Sequence, residues 1–118
     1  SNIFEVMMYF DYAKERQGLE VLEKEHGFAL YKITGEEMFL AEVYIKPEFR
    51  KTKAIHNLIF ECSQVGLQNK CKVMSATVHL SDLGAMRTIK AALKLDFFIA
   101  RAHDNIIVIA KHLGGENG

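Results

Sequence analysis

Four basic side chains cluster around the only proline of the chain, Pro47. They are Lys46, Arg50, Lys51 and Lys53. A β-branched and aromatic run precedes this cluster, and apolar residues at helical spacing follow it. A strand, a basic turn and a helix start in that order favour anion binding, because the unpaired first-turn N–H groups and the positive end of the helix dipole point at the same place. The pattern therefore predicts a site for a phosphate-bearing ligand.

Two other interpretations of the basic turn stay open at this point. A run of charges is also typical of a solvated surface turn. A nucleic-acid patch is a weaker alternative, because Phe49 is the only aromatic residue interleaved with the basic ones.

Proton transfer is the second kind of chemistry that the sequence suggests, and Glu42 and His79 are its candidates. Glu42 lies inside a predicted strand and shares a face with Tyr44 and Lys46, a placement that suits a general base. The alternative for Glu42 is an exposed strand edge or an ion pair across the hairpin. His79 ends the predicted central strand, where sheets of this class open their ligand crevice, but a plain strand-end polar residue is the alternative.

Periodic patterns predict the elements that must position these side chains. They are a short strand at 3–8, a helix over about 9–26, a hairpin of 28–33 and 38–46, a helix over 52–69 with Thr52 as its cap, a strand at 72–80, a helix capped by Ser81, and a hairpin of 97–101 and 106–111. The last helix carries an apolar stripe of Leu83, Met86, Ile89 and Leu93. A strand–helix–strand crossover in the middle predicts a parallel pair within a mixed sheet.

Composition predicts one globular domain over residues 1–113, with a frayed tail at 114–118. Fifteen basic residues balance fifteen acidic ones, so there is no global attraction to nucleic acid or an anionic membrane. The chain shows no apolar run of membrane-spanning length and no signal peptide, which predicts a cytoplasmic protein with no membrane partner. Cys62 and Cys71 are predicted to be buried thiols, and the five histidines and two cysteines show no metal-ligand spacing.

The stretch 44–59 resembles the cofactor-binding segment of the GNAT acyltransferase superfamily. In that family a strand ending in Val-x-Pro leads to an Arg or Gln, two glycines at the third and fifth positions after it, and a leucine pair at the eighth and ninth. The matching residues here are Ile45, Pro47, Arg50, Leu58 and Ile59, while the glycine positions hold Lys53 and Ile55. Later, Asp96-Phe97 corresponds to the Gly-Phe that leads into the family's C-terminal hairpin.

The resemblance implies an α/β (α+β) fold: a mixed sheet with a parallel strand–helix–strand crossover, flanking helices and a C-terminal hairpin. It also implies transfer of an acyl group from acetyl-CoA, or another acyl-CoA, to an amine of a small molecule or protein. By position, the cofactor-binding residues are Val43, Tyr44, Ile45, Arg50, Lys51, Lys53, Ala54 and His56. A homodimer is a further expectation, and nucleic acid is not an expected partner.

The family's catalytic acid is commonly a tyrosine on the penultimate helix, and its position here holds Ala92 or Ile89. The resemblance therefore implies slow turnover. An inactive GNAT-fold binding or assembly module is the alternative, and small GNAT-like proteins of bacteriophages show similar losses.

Overall fold

The computed structural model describes residues 3–114 and shows a six-stranded mixed sheet flanked by helices. In chain order the elements are α1 (Ile3–Gln17), β1 (Glu20–Lys24), β2 (Gly27–Thr34), β3 (Glu37–Ile45), α2 (Ala54–Gln68), β4 (Val73–His79), α3 (Ala85–Lys94), β5 (Phe98–His103) and β6 (Ile106–His112). The strand order is β1-β2-β3-β4-β6-β5. Strands β3 and β4 pair in parallel, as predicted, and the other neighbours pair antiparallel.

The two faces of the sheet carry different helices. Ala29 and Leu30 are adjacent in β2, so they point to opposite faces. Ala29 belongs to the larger buried cluster, which includes side chains of α2 and α3. Leu30 belongs to a smaller cluster with Phe10 and Ala13 of α1. Helix α1 therefore covers one face, and α2 and α3 cover the other.

Strands β3 and β4 pair along only part of their length. Their register runs from Glu37 opposite Val73 to Leu40 opposite Ala76, whereas β3 continues to Ile45 and β4 to His79. The strands diverge beyond that point, and part of β3 is left with backbone groups that β4 does not pair.

A β-bulge in β3 lies at the start of this divergence. Leu30 pairs with Glu42 and Tyr31 pairs with Leu40, so Ala41 is an extra residue with no partner in β2. The bulge reverses the alternation of side chains. Met38 and Leu40 before it, and Val43 and Ile45 after it, all pack in the larger cluster.

The N-terminal prediction is wrong, because residues 3–8 are helical and the helix predicted over 9–26 ends at Gln17. Gly18 has a φ of +67°, a conformation that glycine adopts readily and that commonly ends a helix. The Leu19 N–H then donates back to the Ala13 carbonyl at 3.2 Å, and β1 follows.

The apolar stripe predicted for α3 is also wrong. The helix begins at Ala85 after Gly84, whose φ is +82°, so Ser81 is not its cap. The residues it buries are Ala85, Ile89 and Ala92, whereas Leu83, Met86 and Leu93 are exposed. Small side chains face the sheet here because the helix lies close to it. The predicted tail at 114–118 falls outside the described residues from 115 onward.

Candidate functional site

A cavity of about 330 Å³ opens where β3 and β4 diverge. Its walls include β3 from Leu40 to Val43, Ile55 and Ile59 of α2, and α3 around Ala91. Most of the lining is apolar. The space is thus bounded by both diverging strands and by the two helices that cover this face.

Glu42 is the single ionisable residue among the described residues that line this cavity. One of its oxygens, Oε1, accepts a hydrogen bond of 2.6 Å from the Tyr9 hydroxyl of α1. This hydrogen bond, with some burial and the negative charge of Glu42, raises the pKa of Tyr9 to about 12. Tyr9 therefore stays protonated and donates at any physiological pH.

His79 lies at the far end of β4, opposite Ile106 of β6, and is exposed. Val78 packs in the larger cluster, so alternation places His79 on the α1 face. Glu42 also points to that face, since it bonds Tyr9. The two predicted catalytic residues share a face, but only Glu42 lines the cavity.

The basic turn is fastened to the end of β3 by Arg50. Its Nε donates to the Ile45 carbonyl at 2.8 Å, and its guanidinium lies 5.4 Å from the centre of the Tyr44 ring. The turn contains a short 3₁₀ segment, Pro47–Phe49. The Arg50 side chain is therefore held against the end of β3 by these two contacts.

The start of α2 differs slightly from the predicted one. Lys53 is the N-cap residue, and the Thr52 hydroxyl accepts from the Ala54 N–H at 3.1 Å. Within residues 3–114, the N–H groups of Ile55 and His56 have no hydrogen-bond partner, as expected for the first helical turn. These donors point outward from the N-terminal end of the helix, toward any ligand bound there.

Lys51 and Lys53 are the exposed cations beside these N–H groups, and His56 lies in the same turn. Neither lysine has an ion-pair partner among the described residues. Lys51 has a φ of +68°, unusual for a side chain with a Cβ. The turn therefore presents two unpaired positive charges and free backbone donors at one end of α2.

The predicted binding residues of β3 divide between two surfaces. Val43 and Ile45 line the cavity. Tyr44 points to the α1 face and stacks on Phe28, with ring centres 5.5 Å apart. Tyr44 also lines a second cavity of about 580 Å³ beside α1.

Sequence reasoning missed Tyr9 as a functional candidate. Tyr9 and Glu42 are 33 residues apart, and Tyr9 falls in the helix predicted over about 9–26. No local spacing connects the two positions. Only the packing of α1 on the sheet brings them together.

Within residues 3–114, no group of three or more His, Cys, Asp or Glu side chains could hold a metal ion. In the same part of the chain no helix is both long enough and apolar enough to cross a membrane.

Solved structures with the same arrangement are acetyltransferases. The PaiA N-acetyltransferase of Thermoplasma acidophilum, in complex with coenzyme A, is 17% identical, with a TM-score of 0.69 over 92% of this chain and 70% of that one. A GNAT-family acetyltransferase from Listeria monocytogenes is 11% identical, with a TM-score of 0.67 over 96% and 77%. This chain has the GNAT fold. An aminoglycoside 6′-N-acetyltransferase complexed with coenzyme A shares the GNAT fold at 12% identity and a TM-score of 0.70, over 81% and 72% of the chains.

No family model matches the sequence, and no curated protein matches it. The GNAT assignment therefore rests on the course of the backbone. At these identities the likeness concerns the fold, and function must be argued from the site.

Proposed function

We propose that this GNAT-fold protein is an acyl-CoA-dependent N-acyltransferase that transfers an acetyl group from acetyl-CoA to an amine of a small molecule or protein. The observation that carries the proposal is an apolar cavity between diverging parallel strands, with Glu42 as the one ionisable residue among the described residues that line it. Unpaired positive charges and free helix N–H groups lie at the neighbouring start of α2. The proposal includes a cytoplasmic location, while a homodimer and a phage origin stay predictions.

The cavity suits the pantetheine arm of an acyl-CoA. Its apolar walls include Val43, Ile45 and Ile55, which match the alkyl parts of the arm. The stretch of β3 beyond Leu40 has lost its pairing with β4, so its backbone groups can bond the amides of the arm as a strand would. In this arrangement the arm lies beside β3 in the position that β4 leaves where the two strands diverge.

The start of α2 suits the pyrophosphate, although without the family's glycines. Lys53 offers an ammonium charge, and the N–H groups of Ile55 and His56 offer hydrogen bonds. The Ile55 side chain lines the cavity and packs against the larger cluster, so it does not point into the turn. We therefore expect binding carried by charge and by a few backbone donors, and weaker than a glycine-rich loop would give.

Glu42 acts as the general base in this mechanism. It takes a proton from the acceptor's ammonium group, and the freed amine nitrogen bonds the thioester carbonyl carbon. The carbon–sulfur bond then breaks, and the amide and the thiolate of CoA are the products. The nitrogen loses two protons in each turnover. Glu42 takes the first from the ammonium group and releases it to solvent, and the second, lost as the amide forms, reaches the thiolate through Glu42 or water.

No side-chain acid occupies the position expected from the family. Ile89 and Ala92 are both buried, and Ala92 lines the cavity. Neither can donate a proton, so departure of the thiolate depends on Glu42 and water. We expect turnover to be slow for this reason, because a positioned acid is commonly worth about 10²–10⁴-fold in rate.

The proposal is tested by thermal unfolding with and without acetyl-CoA, together with thiol release against a panel of amines and peptides. A ligand that binds only the native state stabilises it by about 2.7 kcal/mol at a concentration of 100 Kd. We expect a raised midpoint and slow, amine-dependent thiol release. Absence of both would overturn the proposal and support the inactive binding module.

Replacement of Glu42 by Gln separates binding from chemistry. Gln keeps the shape and the hydrogen bond to Tyr9 but cannot accept the ammonium proton. Thiol release should fall by about 10²–10⁴-fold, while the stabilisation by acetyl-CoA should stay at the wild-type value. Brisk turnover in Glu42→Gln would place the chemistry elsewhere.

A further inference from the structure

Glu42 lies beside the cavity, on the part of β3 that β4 does not pair. Its side chain is on the α1 face, where Oε1 accepts a hydrogen bond of 2.6 Å from the Tyr9 hydroxyl. Both side chains are exposed to solvent. An exposed glutamate samples several rotamers unless a partner selects one.

Tyr9 is itself held in place by aromatic packing. Its ring lies 6.1 Å from Phe10 and 6.2 Å from Phe28, centre to centre. Phe10 is buried and meets Phe28 edge-on at 5.2 Å. Phe28 in turn stacks on Tyr44 of β3. The phenol is therefore fixed to the strand that carries Glu42.

We infer that Tyr9 is a positioning residue, whose hydroxyl holds Oε1 of Glu42 so that Oε2 is free to meet the acceptor's ammonium group where β3 and β4 diverge. The inference rests on the proposed function, since it assigns a role within that reaction. It makes α1 part of the reacting site, in addition to its packing on the sheet. It also explains why a single carboxylate suffices at this position: one oxygen is anchored and the other is free for the proton.

Glu42 has no ion-pair partner among the described residues. From β2, its partner Leu30 and the neighbouring Phe28 are apolar. From β4, His79 lies on the same face. On α1, Glu5 lies one turn before Tyr9, and on β3 the next side chain on this face is Tyr44. Tyr9 is the one hydrogen-bond donor to Glu42 within residues 3–114.

Tyr9→Phe is the direct test, and Tyr12→Phe is its matched control. Tyr12 lies on the same helix and is exposed, so the control removes a hydroxyl without touching Glu42. Steady-state kinetics give kcat and the KM for acetyl-CoA. The ¹³C resonance of the Glu42 carboxyl group reports loss of the hydrogen bond independently of activity.

In Tyr9→Phe we expect kcat to fall about 3- to 30-fold at an unchanged KM for acetyl-CoA. The carboxyl resonance of Glu42 should also shift, because Oε1 loses its hydrogen-bond donor. Tyr12→Phe should match the wild type in every measurement.

A reciprocal measurement covers the case in which Tyr9→Phe does not fold. In Glu42→Gln the phenol loses its charged acceptor, so the pKa of Tyr9 should fall from about 12 toward 10.0. An unchanged Tyr9 titration in that variant would overturn the inference. A wild-type kcat together with an unshifted Glu42 carboxyl resonance in Tyr9→Phe would also overturn it. If the wild type shows no acetyl-CoA-dependent turnover, the proposed function fails and this inference fails with it; if turnover is present and insensitive to Tyr9, the inference alone fails.

Discussion

Arg50 and Lys53 are three residues apart and serve different purposes. Arg50 is bonded to the Ile45 carbonyl and covers the Tyr44 ring, so its charge stabilises the end of β3. Lys53 caps α2 with its backbone, and its side chain has no ion-pair partner within residues 3–114. Of the two, Lys53 is the one whose charge is available to a ligand.

Lys53→Glu should weaken acetyl-CoA binding by roughly 10- to 100-fold, because the substitution places a negative charge beside the phosphates at an exposed position. Calorimetric titration measures the effect. Lys32→Glu is the control, since Lys32 is exposed on β2 and carries the same charge change away from the turn. Equal affinities for wild type and Lys53→Glu would remove Lys53 from the site.

The residues of the site were only partly predictable. Glu42 could be predicted as a candidate base because it lies inside a predicted strand, on the face that it shares with Tyr44 and Lys46. Tyr9 could not, because its contact with Glu42 depends on how α1 packs across 33 residues of chain. The spacing of residues in the sequence also does not predict side-chain contacts such as the hydrogen bond from Arg50 to the Ile45 carbonyl.

At the level of elements, the pairing of β2 with β3 depends on Gly27, the first residue of β2. A Cβ added at Gly27 would lie 2.0 Å from the Tyr44 carbonyl oxygen and 3.0 Å from the Ile45 Cα. Both neighbours are backbone atoms and cannot move without shifting β3. The end of β3 that borders the cavity therefore requires glycine opposite it.

Gly27→Ala should destabilise the protein by about 2–4 kcal/mol, because relief of the clash separates two paired strands. Urea unfolding followed by circular dichroism measures this. Gly35→Ala is a useful comparison: its Cβ would meet nothing within 4 Å, so its cost comes only from the φ of +61° and should be about 1 kcal/mol. A larger cost at Gly35 than at Gly27 would contradict the argument.

Helix α3 forms one wall of the cavity through small side chains. Ala91 lines the cavity and is exposed, so a larger side chain there can be accommodated by the fold while it fills the space. Ala91→Phe should retain the unfolding midpoint within a few degrees but abolish its increase with acetyl-CoA. Ala102→Phe, at an exposed position of β5, should still be stabilised. Full stabilisation of Ala91→Phe would place the ligand elsewhere.

Element predictions succeeded where two signals agreed and failed where one was missing. The hairpin of β2 and β3 combined alternation with a turn sequence, and α2 had a consistent apolar face. In α3 the large apolar residues Met86 and Leu93 are exposed, which a rule that buries large side chains cannot anticipate. At the N-terminus, Leu19 and Leu22 continued a helical spacing although Gly18 had already ended the helix.

At the scale of the whole molecule, the larger core contains both cysteines. Cys62 and Cys71 are unpaired, with 0% and 3% of their surface exposed. Burial, with a smaller contribution from the charge of Glu61, raises the pKa of Cys62 to about 12. Burial also raises the pKa of Cys71. Both groups therefore hold their protons well above neutral pH in the folded state.

Alkylation of these thiols should report opening of the core. The native protein should react at least about 10³-fold more slowly than the protein in denaturant, given a stability of about 5 kcal/mol or more. The raised pKa keeps the thiolate of native Cys62 scarce at both pH 7 and pH 9, so an ordinary exposed thiol should be alkylated faster at either pH. Mass spectrometry after timed quenching gives both rates. Rapid labelling of Cys62 in the native protein would contradict the packing described here.

The bulge at Ala41 sets the phase of the rest of β3. Val43 lies five residues after Met38, a spacing that would place the two on opposite faces of a regular strand, yet both pack in the larger core cluster. Deletion of Ala41 would leave Val43 and Ile45 in phase with Met38 and Leu40 by simple alternation. Such a deletion would therefore remove the local bend of the strand beside the cavity and keep the same side chains in the core. Drift in length at this position can change the shape of β3 without exchanging its buried and exposed faces.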